Sequence, residues 1–224
     1  MALRVKPDIL VVFNNTGVEY SETIAYKDKL AKEWGLNLVE TKPIKSFWQC
    51  VEEYGFPLIR GKRSKKYGNP GKPPCCRFLK EIPMRGVVRQ RGIRAVLTGM
   101  RAAESRVRMF AFAQLGQNYA SHKFFDILKF NPIAFWTHDQ LWQYLREHEI
   151  PTNPIYEKVL RSGCMPCTGF LHWEQQLAVT NPRMYRYVQK LRGQLLFDDF
   201  LALEDSRLVG SCATVEQAQL SQWF

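Results

Sequence analysis

The chain has 224 residues, of which 46% are hydrophobic and 24% are charged, and its formal net charge is +11. This size allows one sizeable core with a small appendage, and no segment reaches the roughly 18 consecutive apolar residues of a membrane span. The first residues, "MALRVKPDILVV", lack the pattern of a signal peptide, so we expect a cytoplasmic protein. In that reducing compartment the six cysteines indicate metal-binding or reactive thiols rather than disulfides.

Strands and helices alternate in the first part of the chain. "DILVVFNN" and "LNLVETKP" are short apolar runs that predict two buried strands. Between them "SETIAYKDKLAKEWG" predicts a helix that Ser21 caps and Gly35 ends, and "SFWQCVEEYG" predicts a short helix after the second strand. The basic segment "RGKRSKKYGNPGK", residues 60–72, then predicts a loop. It is either a solvated loop or an anion site for a phosphate-bearing small molecule or nucleic acid.

The same alternation continues toward the C-terminus. A helix is predicted near residues 75–90, and "IRAVLTGM" and "FFDILKFNPI" predict a third and a fourth strand. In "THDQLWQYLREHEI" Thr137 and Gln140 have the spacing of a capping box, and "NPRMYRYVQKLRGQ" predicts one more helix. Strands that alternate with helices predict an α/β fold, with a parallel sheet and flanking helices.

Four of the cysteines form two close pairs that are far apart in the sequence. Cys75 and Cys76 are adjacent, whereas Cys164 and Cys167 have C-x-x-C spacing. A structural zinc site usually takes two pairs that are each separated by two to four residues, and adjacent side chains diverge in most backbones. A four-iron cluster is larger and takes one thiolate at each iron, so neighbouring cysteines can bind different corners. The spacing favours such a cluster over zinc, and four ordinary thiols remain the alternative.

The segment "TGMRAAESRVR", residues 98–108, follows the predicted third strand. A glycine at a strand end permits close approach of the backbone to a ligand. The guanidinium groups of Arg101, Arg106 and Arg108 are suited to phosphate or sulfate, and Glu104 is placed to orient one of them. The alternative is the start of an amphipathic helix with solvated arginines.

Four motifs in this order resemble the phosphoadenosine phosphosulfate (PAPS) reductase family. "NTGVEYSET" resembles the family segment D-T-G-x-x-F/Y-x-E-T, and "CCRFLKEIP" resembles C-C-x-x-x-K-x-x-P. "TGMRAAESRVR" resembles T-G-x-R-x-x-E-S-x-x-R. The stretch from "FNPIAFW" to "GCMPCT" resembles the family segment that ends in G-C-x-x-C-T/P. The resemblance implies an adenine nucleotide alpha-hydrolase-like fold, which ATP pyrophosphatases share, over residues 1–170. The helix predicted in "NPRMYRYVQKLRGQ" indicates a helical extension at 171–224.

The resemblance also implies the roles of individual residues. In the cluster-bearing branch of the family, which includes adenylyl-sulfate reductases, both cysteine pairs hold a four-iron four-sulfur (4Fe-4S) cluster. The ligands by position are Cys75, Cys76, Cys164 and Cys167. The positions implied to contact an adenine nucleotide or its anionic group are Asn15, Thr16, Gly17, Glu22, Thr23, Lys80, Gly99, Arg101, Glu104, Ser105 and Arg108.

Three departures from the family pattern bear on function. The glycine-rich phosphate loop and the strand that precedes it are not found, so we expect two later strands to lose a shared neighbour. We expect either an N-terminally shortened form of the family domain, or an oligomer or a rearranged segment that fills the gap. Asn15 stands where the family more often has aspartate, which removes a negative charge. The family's catalytic cysteine lies in an E-C-G-x-H motif, and the only late cysteine here, Cys212 in "LVGSCATVEQ", is a weak candidate.

These observations leave three hypotheses about function. The first is reduction of adenylyl sulfate or PAPS to sulfite, with a thiol donor such as thioredoxin. The second is a sulfur-transfer ATP pyrophosphatase that modifies nucleic acid, which the basic charge and the loop at 60–72 favour. The third is a non-catalytic iron–sulfur partner subunit, which the missing phosphate loop and cysteine motif favour.

Overall fold

The computed structural model describes residues 1–57, 74–121, 127–159 and 161–207, with residues 195–207 as backbone alone. Its α-helices are α1 (Ala2–Val5), α2 (Ser21–Glu33), α3 (Phe47–Tyr54), α4 (Pro74–Cys76), α5 (Ile82–Gln90), α6 (Arg106–Leu115), α7 (His138–Glu147), α8 (Trp173–Thr180) and α9 (Pro182–Arg207). A π-helical turn (Arg77–Glu81) joins α4 to α5, and 3₁₀ turns lie at Ala102–Glu104 and Pro154–Glu157. Within the described ranges, no helix is both long and apolar enough to cross a membrane.

The strands are β1 (Val11–Asn14), β2 (Leu38–Thr41), β3 (Ala95–Leu97), β4 (Asn118–Ser121) and β5 (Ile127–Phe130). They confirm the α/β fold, since β1 pairs with β2 in parallel and β3 pairs with β5 in parallel. Two details differ from the expectation of one parallel sheet. The strands form two sheets, in the orders β1-β2 and β3-β5-β4, and β4 is antiparallel to β5.

The division into two sheets agrees with the expected loss of a strand that two others would share. In the part of the chain that the structure describes, β1 and β3 each have a strand partner on one side only. β4 was not predicted because its sequence, "NYAS", has no apolar run, and its pairing with β5 provides the regular hydrogen bonds instead.

Local capping explains where several helices begin. In α7 the Thr137 side chain accepts from the Gln140 backbone and the Gln140 side chain accepts from the Thr137 backbone, which confirms the predicted capping box. Ser46 and Gln49 form the same motif at the start of α3. The prediction for Ser21 was wrong, because Tyr20 is the N-cap of α2 and the Ser21 hydroxyl donates to the neighbouring Glu22 carboxylate.

The hydrophobic core lies among helices rather than against the sheets. Its fully buried side chains come from α3, the π-turn, α8 and α9 and include Phe47, Cys50, Leu79, Leu177 and Val188. Strand β1 is only half-buried along its whole length. The helical C-terminal part is confirmed as α8 and α9, and both contribute to this core. The division of the chain into domains at residue 170 stays a prediction.

One face of the three-stranded sheet is open. The register aligns Ala95 with Leu128 and Leu97 with Phe130, so these four side chains share a face. Leu97 is 45% exposed and Leu128 is 48% exposed. A parallel α/β sheet is normally covered on both faces, and none of the elements that the structure describes forms such a layer over this face.

Candidate functional site

The turn that follows β1 forms the first wall of the site. The Asn15 side-chain oxygen accepts from the Gly17 backbone at 2.9 Å, and its amide nitrogen donates to Glu40 on β2 at 2.7 Å. Gly17 has a φ of 75°, in the left-handed region that favours glycine. Asn15 therefore keeps the hydrogen-bonding carbonyl that an aspartate would have, and it uses this group to shape the turn.

This turn is docked on the C-x-x-C segment. The Met165 backbone N–H donates to the Val18 carbonyl at 2.8 Å. The Cys164 thiol donates to the hydroxyl oxygen of Thr16 at 3.5 Å, and Thr16 is only 1% exposed. Cys167 closes its own tight turn, since its backbone N–H donates to the Cys164 carbonyl at 3.1 Å. The first family motif, which contains Thr16, is therefore in contact with the last, which contains Cys164.

The other cysteine pair begins the helical run from Pro74 to Gln90. Cys75 is buried and Cys76 is half-buried, and the π-turn that follows them is a type of irregularity often found at functional sites. A hydrogen bond with Cys76 raises the pKa of the Cys75 thiol, and burial and the charges of Cys167 and Cys164 raise it further. Cys75 belongs to the helical core, and Cys76 and Cys164 pack against that core.

All four cysteines share one low-dielectric site. Burial is the main cause that raises the pKa of both Cys164 and Cys167, and each also feels the charge of Cys76. Within the described ranges, no group of three or more His, Cys, Asp or Glu side chains is arranged to hold a single metal ion. The geometry thus gathers the four predicted cysteines, and it does not display a preformed site for one ion.

Lys80 and Glu19 bring opposite charges to the cysteines. Burial alone would lower the pKa of Lys80, but the nearby charges of Cys164 and Glu19 raise it overall. The Thr16 hydroxyl donates to the Glu19 carboxylate at 2.8 Å. Glu19 was not among the predicted site residues, because it occupies a variable position of the motif, and only its spacing of three residues from Thr16 could have drawn attention to it.

The predicted arginine segment forms the second wall of the site, after β3. Arg101 is 9% exposed and donates to the Thr137 carbonyl at 3.0 Å, and its Nε lies 3.7 Å from Glu104. Glu104 also pairs with Arg108. The Ser105 side chain caps α6 by accepting from the Arg108 backbone at 3.2 Å. Gly99 is exposed, and an added Cβ would meet only Ile133 at an ordinary 3.9 Å.

A third arginine, Arg161, lies in the segment before the C-x-x-C pair, and its charge acts on Arg108. Burial lowers the pKa of Arg108, and the charges of Arg161 and Arg101 lower it further. Arg161 also acts on the Cys167 thiol, whose pKa its charge lowers against the larger effect of burial. Its backbone carbonyl accepts from Gln176 at 2.9 Å, and its guanidinium lies 5.5 Å from the Phe170 ring centre. The sequence prediction did not include Arg161.

Two predicted pocket residues are engaged with the segment before the C-x-x-C pair. The Glu22 carboxylate lies 3.3 Å from the Lys158 ammonium. The Thr23 hydroxyl accepts from the Asn153 side chain at 3.0 Å. Both contacts attach the start of α2 to residues 153–158, so they support the site from outside. Cys212 and the basic loop at 60–72 lie outside the described residues.

Comparison with known proteins supports the same family. The model of the phosphoadenosine phosphosulfate reductase domain matches residues 1–170. The adenosine 5'-phosphosulfate reductase of Mycolicibacterium smegmatis is 31% identical over 170 residues, which are 75% of this chain and 65% of the relative. The enzyme of the same description from Geobacillus sp. is 29% identical over 168 residues, 74% of this chain and 65% of the relative. The chain therefore spans somewhat less than two thirds of the length of these relatives.

A solved structure agrees at the level of the fold. The crystal structure of PAPS reductase from Candida auris, a phosphate complex, superposes with a TM-score of 0.52 and 19% identity, and it covers 72% of each chain. The fold, the shared site of the ordered motifs and the family match lead to one conclusion. The chain belongs to the phosphoadenosine phosphosulfate reductase family.

Proposed function

We propose that the protein binds adenylyl sulfate or PAPS and takes part in its reduction to sulfite. The observation that carries the proposal is that Arg161, three residues before Cys164 in the chain, is near enough to Arg108 and to Cys167 for its charge to act on the pKa of each. A sulfate group held by the arginines would therefore lie beside the thiols. Relatives described as adenosine 5'-phosphosulfate reductases match this part of the chain and support the choice of substrate.

The arginines would serve as the anion site. Arg101, Arg108 and Arg161 bring three positive charges, and Glu104 offsets only one of them. Burial lowers the pKa of Arg108 most, and an anion of two or more charges would relieve the repulsion from Arg161 and Arg101 that lowers it further. Guanidinium groups would also stabilise the negative charge that develops on the leaving phosphate.

The donor set fits a 4Fe-4S cluster held by Cys75, Cys76, Cys164 and Cys167. The thiols are near enough to raise one another's pKa, yet no three of them are arranged for a single ion among the described residues. A cubane cluster is larger than one zinc ion and needs thiolates that are spread over its corners. When bound, it would supply thiolate-held iron beside the sulfate group, and Lys80 would balance part of its negative charge.

The reaction requires two thiols from outside this set. One thiolate attacks the sulfur atom, the bond between that sulfur and the phosphate oxygen breaks, and the nucleotide leaves as adenosine monophosphate from adenylyl sulfate or as adenosine bisphosphate from PAPS. A second thiol then attacks the resulting thiosulfonate, releasing sulfite and leaving a disulfide. We assign both thiols to a dithiol donor of the thioredoxin class, because the sequence around Cys212 lacks the His and Glu of the family motif.

The first test is purification without oxygen, followed by iron and zinc analysis and a visible spectrum. We expect about four irons per chain and a broad absorption band at about 400 nm, as thiolate-held clusters give. Cys164→Ser should lose most of the iron, whereas Cys50→Ala, a buried cysteine outside the set, should keep it. Zinc alone, or four free thiols without metal, would rule out the cluster.

The second test distinguishes the substrate. Calorimetric titration should give tight binding of adenylyl sulfate or PAPS and weaker binding of ATP. Addition of thioredoxin and its reductase should release sulfite in the amount of nucleotide consumed. Tight ATP binding with pyrophosphate release would instead favour the sulfur-transfer hypothesis, and binding without turnover would favour a partner subunit.

A further inference from the structure

Glu19 occupies a position between the site turn and the cysteines. Its carboxylate accepts the Thr16 hydroxyl proton at 2.8 Å, and the same Thr16 oxygen lies 3.5 Å from the Cys164 sulfur. The Val18 carbonyl, one residue before Glu19, accepts from the Met165 backbone at 2.8 Å. Glu19 is thus held by its own turn against the C-x-x-C segment.

The hydroxyl of Thr16 has one proton and two neighbours that can accept it. With the Cys164 thiol protonated, the thiol donates to Thr16 and Thr16 donates to Glu19. A Cys164 sulfur that binds metal has lost its proton and can only accept. The Thr16 proton must then go either to that sulfur or to the Glu19 carboxylate. Hydrogen bonds to cluster sulfurs, and the net charge around them, set the properties of the metal centre.

We propose that Glu19 is a positioning residue that withholds the Thr16 proton from the Cys164 sulfur and holds a negative charge on the Thr16 side of the cysteines. This inference rests on the proposed cluster. Thr16 is only 1% exposed, so water does not compete for its proton. Glu19 also lies near enough to Lys80 for its charge to raise the pKa of that ammonium. The carboxylate therefore controls both the hydrogen bond and the charge on the Thr16 side of the cysteines.

The test compares Glu19→Ala, which removes acceptor and charge, with Glu19→Gln, which removes the charge and keeps an oxygen. Resonance Raman spectra of the loaded protein should show a lower iron–cysteine stretching frequency in Glu19→Ala, because Thr16 is then free to donate to sulfur. Glu19→Gln should shift this frequency less. Both variants should have a more positive cluster reduction potential, because a negative charge has been removed. The matched control is Glu33→Ala, an exposed glutamate on α2 that lies 3.8 Å from Lys29.

The Thr16→Val background separates the hydrogen bond from the charge. In that background the frequency shift of Glu19→Ala should disappear, while the shift in potential should remain. Wild type, Thr16→Val, Glu19→Ala and the double variant should also be unfolded in urea without metal. The effects of the two substitutions on the unfolding constant should depart from additivity by at least about fivefold. A wild-type protein that holds no iron would overturn the proposed cluster. Additive effects of the Thr16 and Glu19 substitutions on unfolding would overturn the pairing of these two side chains. With iron present, spectra like those of Glu33→Ala would overturn the inference.

Discussion

Arg161 is the residue whose charge acts both on the arginines and on the cysteines of the candidate site. Burial lowers the pKa of Arg108 and the charge of Arg161 lowers it further, whereas burial raises the pKa of the Cys167 thiol and the charge of Arg161 opposes that rise. Its guanidinium lies over the Phe170 ring at 5.5 Å, which orients a long and otherwise exposed side chain. These effects make Arg161 the residue to replace first in a test of the proposed anion site.

Replacement of this arginine should weaken anion binding. We expect Arg161→Gln to bind adenylyl sulfate about tenfold more weakly, as the loss of one charge-assisted contact predicts. Titration calorimetry measures this change, with adenosine as a comparison ligand that should be bound equally by both proteins. Arg146→Gln, an exposed arginine in the last turn of α7, is the matched control. Equal losses in the two variants would show a general charge effect instead of a contact.

At the scale of elements, the helices begin where side chains satisfy their first N–H groups. Ser46 and Thr137 accept from the third residue of their helices at 3.1 and 3.2 Å. Ser21, by contrast, is inside α2, and its hydroxyl donates to Glu22. The same residue type therefore has different effects at the two helix starts, and the geometry decides which serine stabilises its helix.

This difference gives a paired prediction. Ser46→Ala should lower the free energy of unfolding by about 1 kcal/mol, because a backbone donor at the start of α3 loses its acceptor. Ser21→Ala should change it by less than about 0.5 kcal/mol. Urea unfolding followed by circular dichroism measures both. A larger loss for Ser21→Ala would contradict the assignment of Tyr20 as the N-cap.

Glu40 on β2 accepts hydrogen bonds from Asn15, which follows β1, and from Lys27 on α2. The stability that these bonds provide should depend on pH. Hydrogen bonds from Lys27 and Asn15 lower the pKa of Glu40 below its usual value of 4.5. The stabilisation is therefore complete above that usual value and is lost as the pH falls through the lower folded-state pKa. Acid titration of stability should show a smaller loss below about pH 4.5 in Glu40→Gln than in the wild type. Parallel curves would mean that this carboxylate does not contribute.

At the scale of the whole molecule, stability is concentrated in the helical core. Leu177 and Val188 are at most 1% exposed, whereas Leu97 and Leu128 on the open sheet face are nearly half exposed. Among the described residues, the two short sheets add little burial of their own. The helices around the cysteine site should therefore carry most of the hydrophobic stabilisation.

Substitutions in these two regions should differ in cost. Leu177→Ala removes a buried side chain and should destabilise the protein by about 2–5 kcal/mol. Leu128→Ala removes one that is 48% exposed, and we expect a loss of less than about 1 kcal/mol. Urea unfolding of the two variants gives the comparison. Similar losses would show that the sheet face is covered in solution.

The sequence by itself determined the alternation of strands and helices, the Thr137 capping box and the four motifs that define the family. These are local features, since periodicity, caps and motif spacing act over a few residues. The tertiary structure decided that the strands form two sheets, that β4 pairs with β5, and that Arg161 and Glu19 stand beside the cysteines. Such contacts join residues far apart in the chain, and packing brings them together without leaving a pattern in the local sequence.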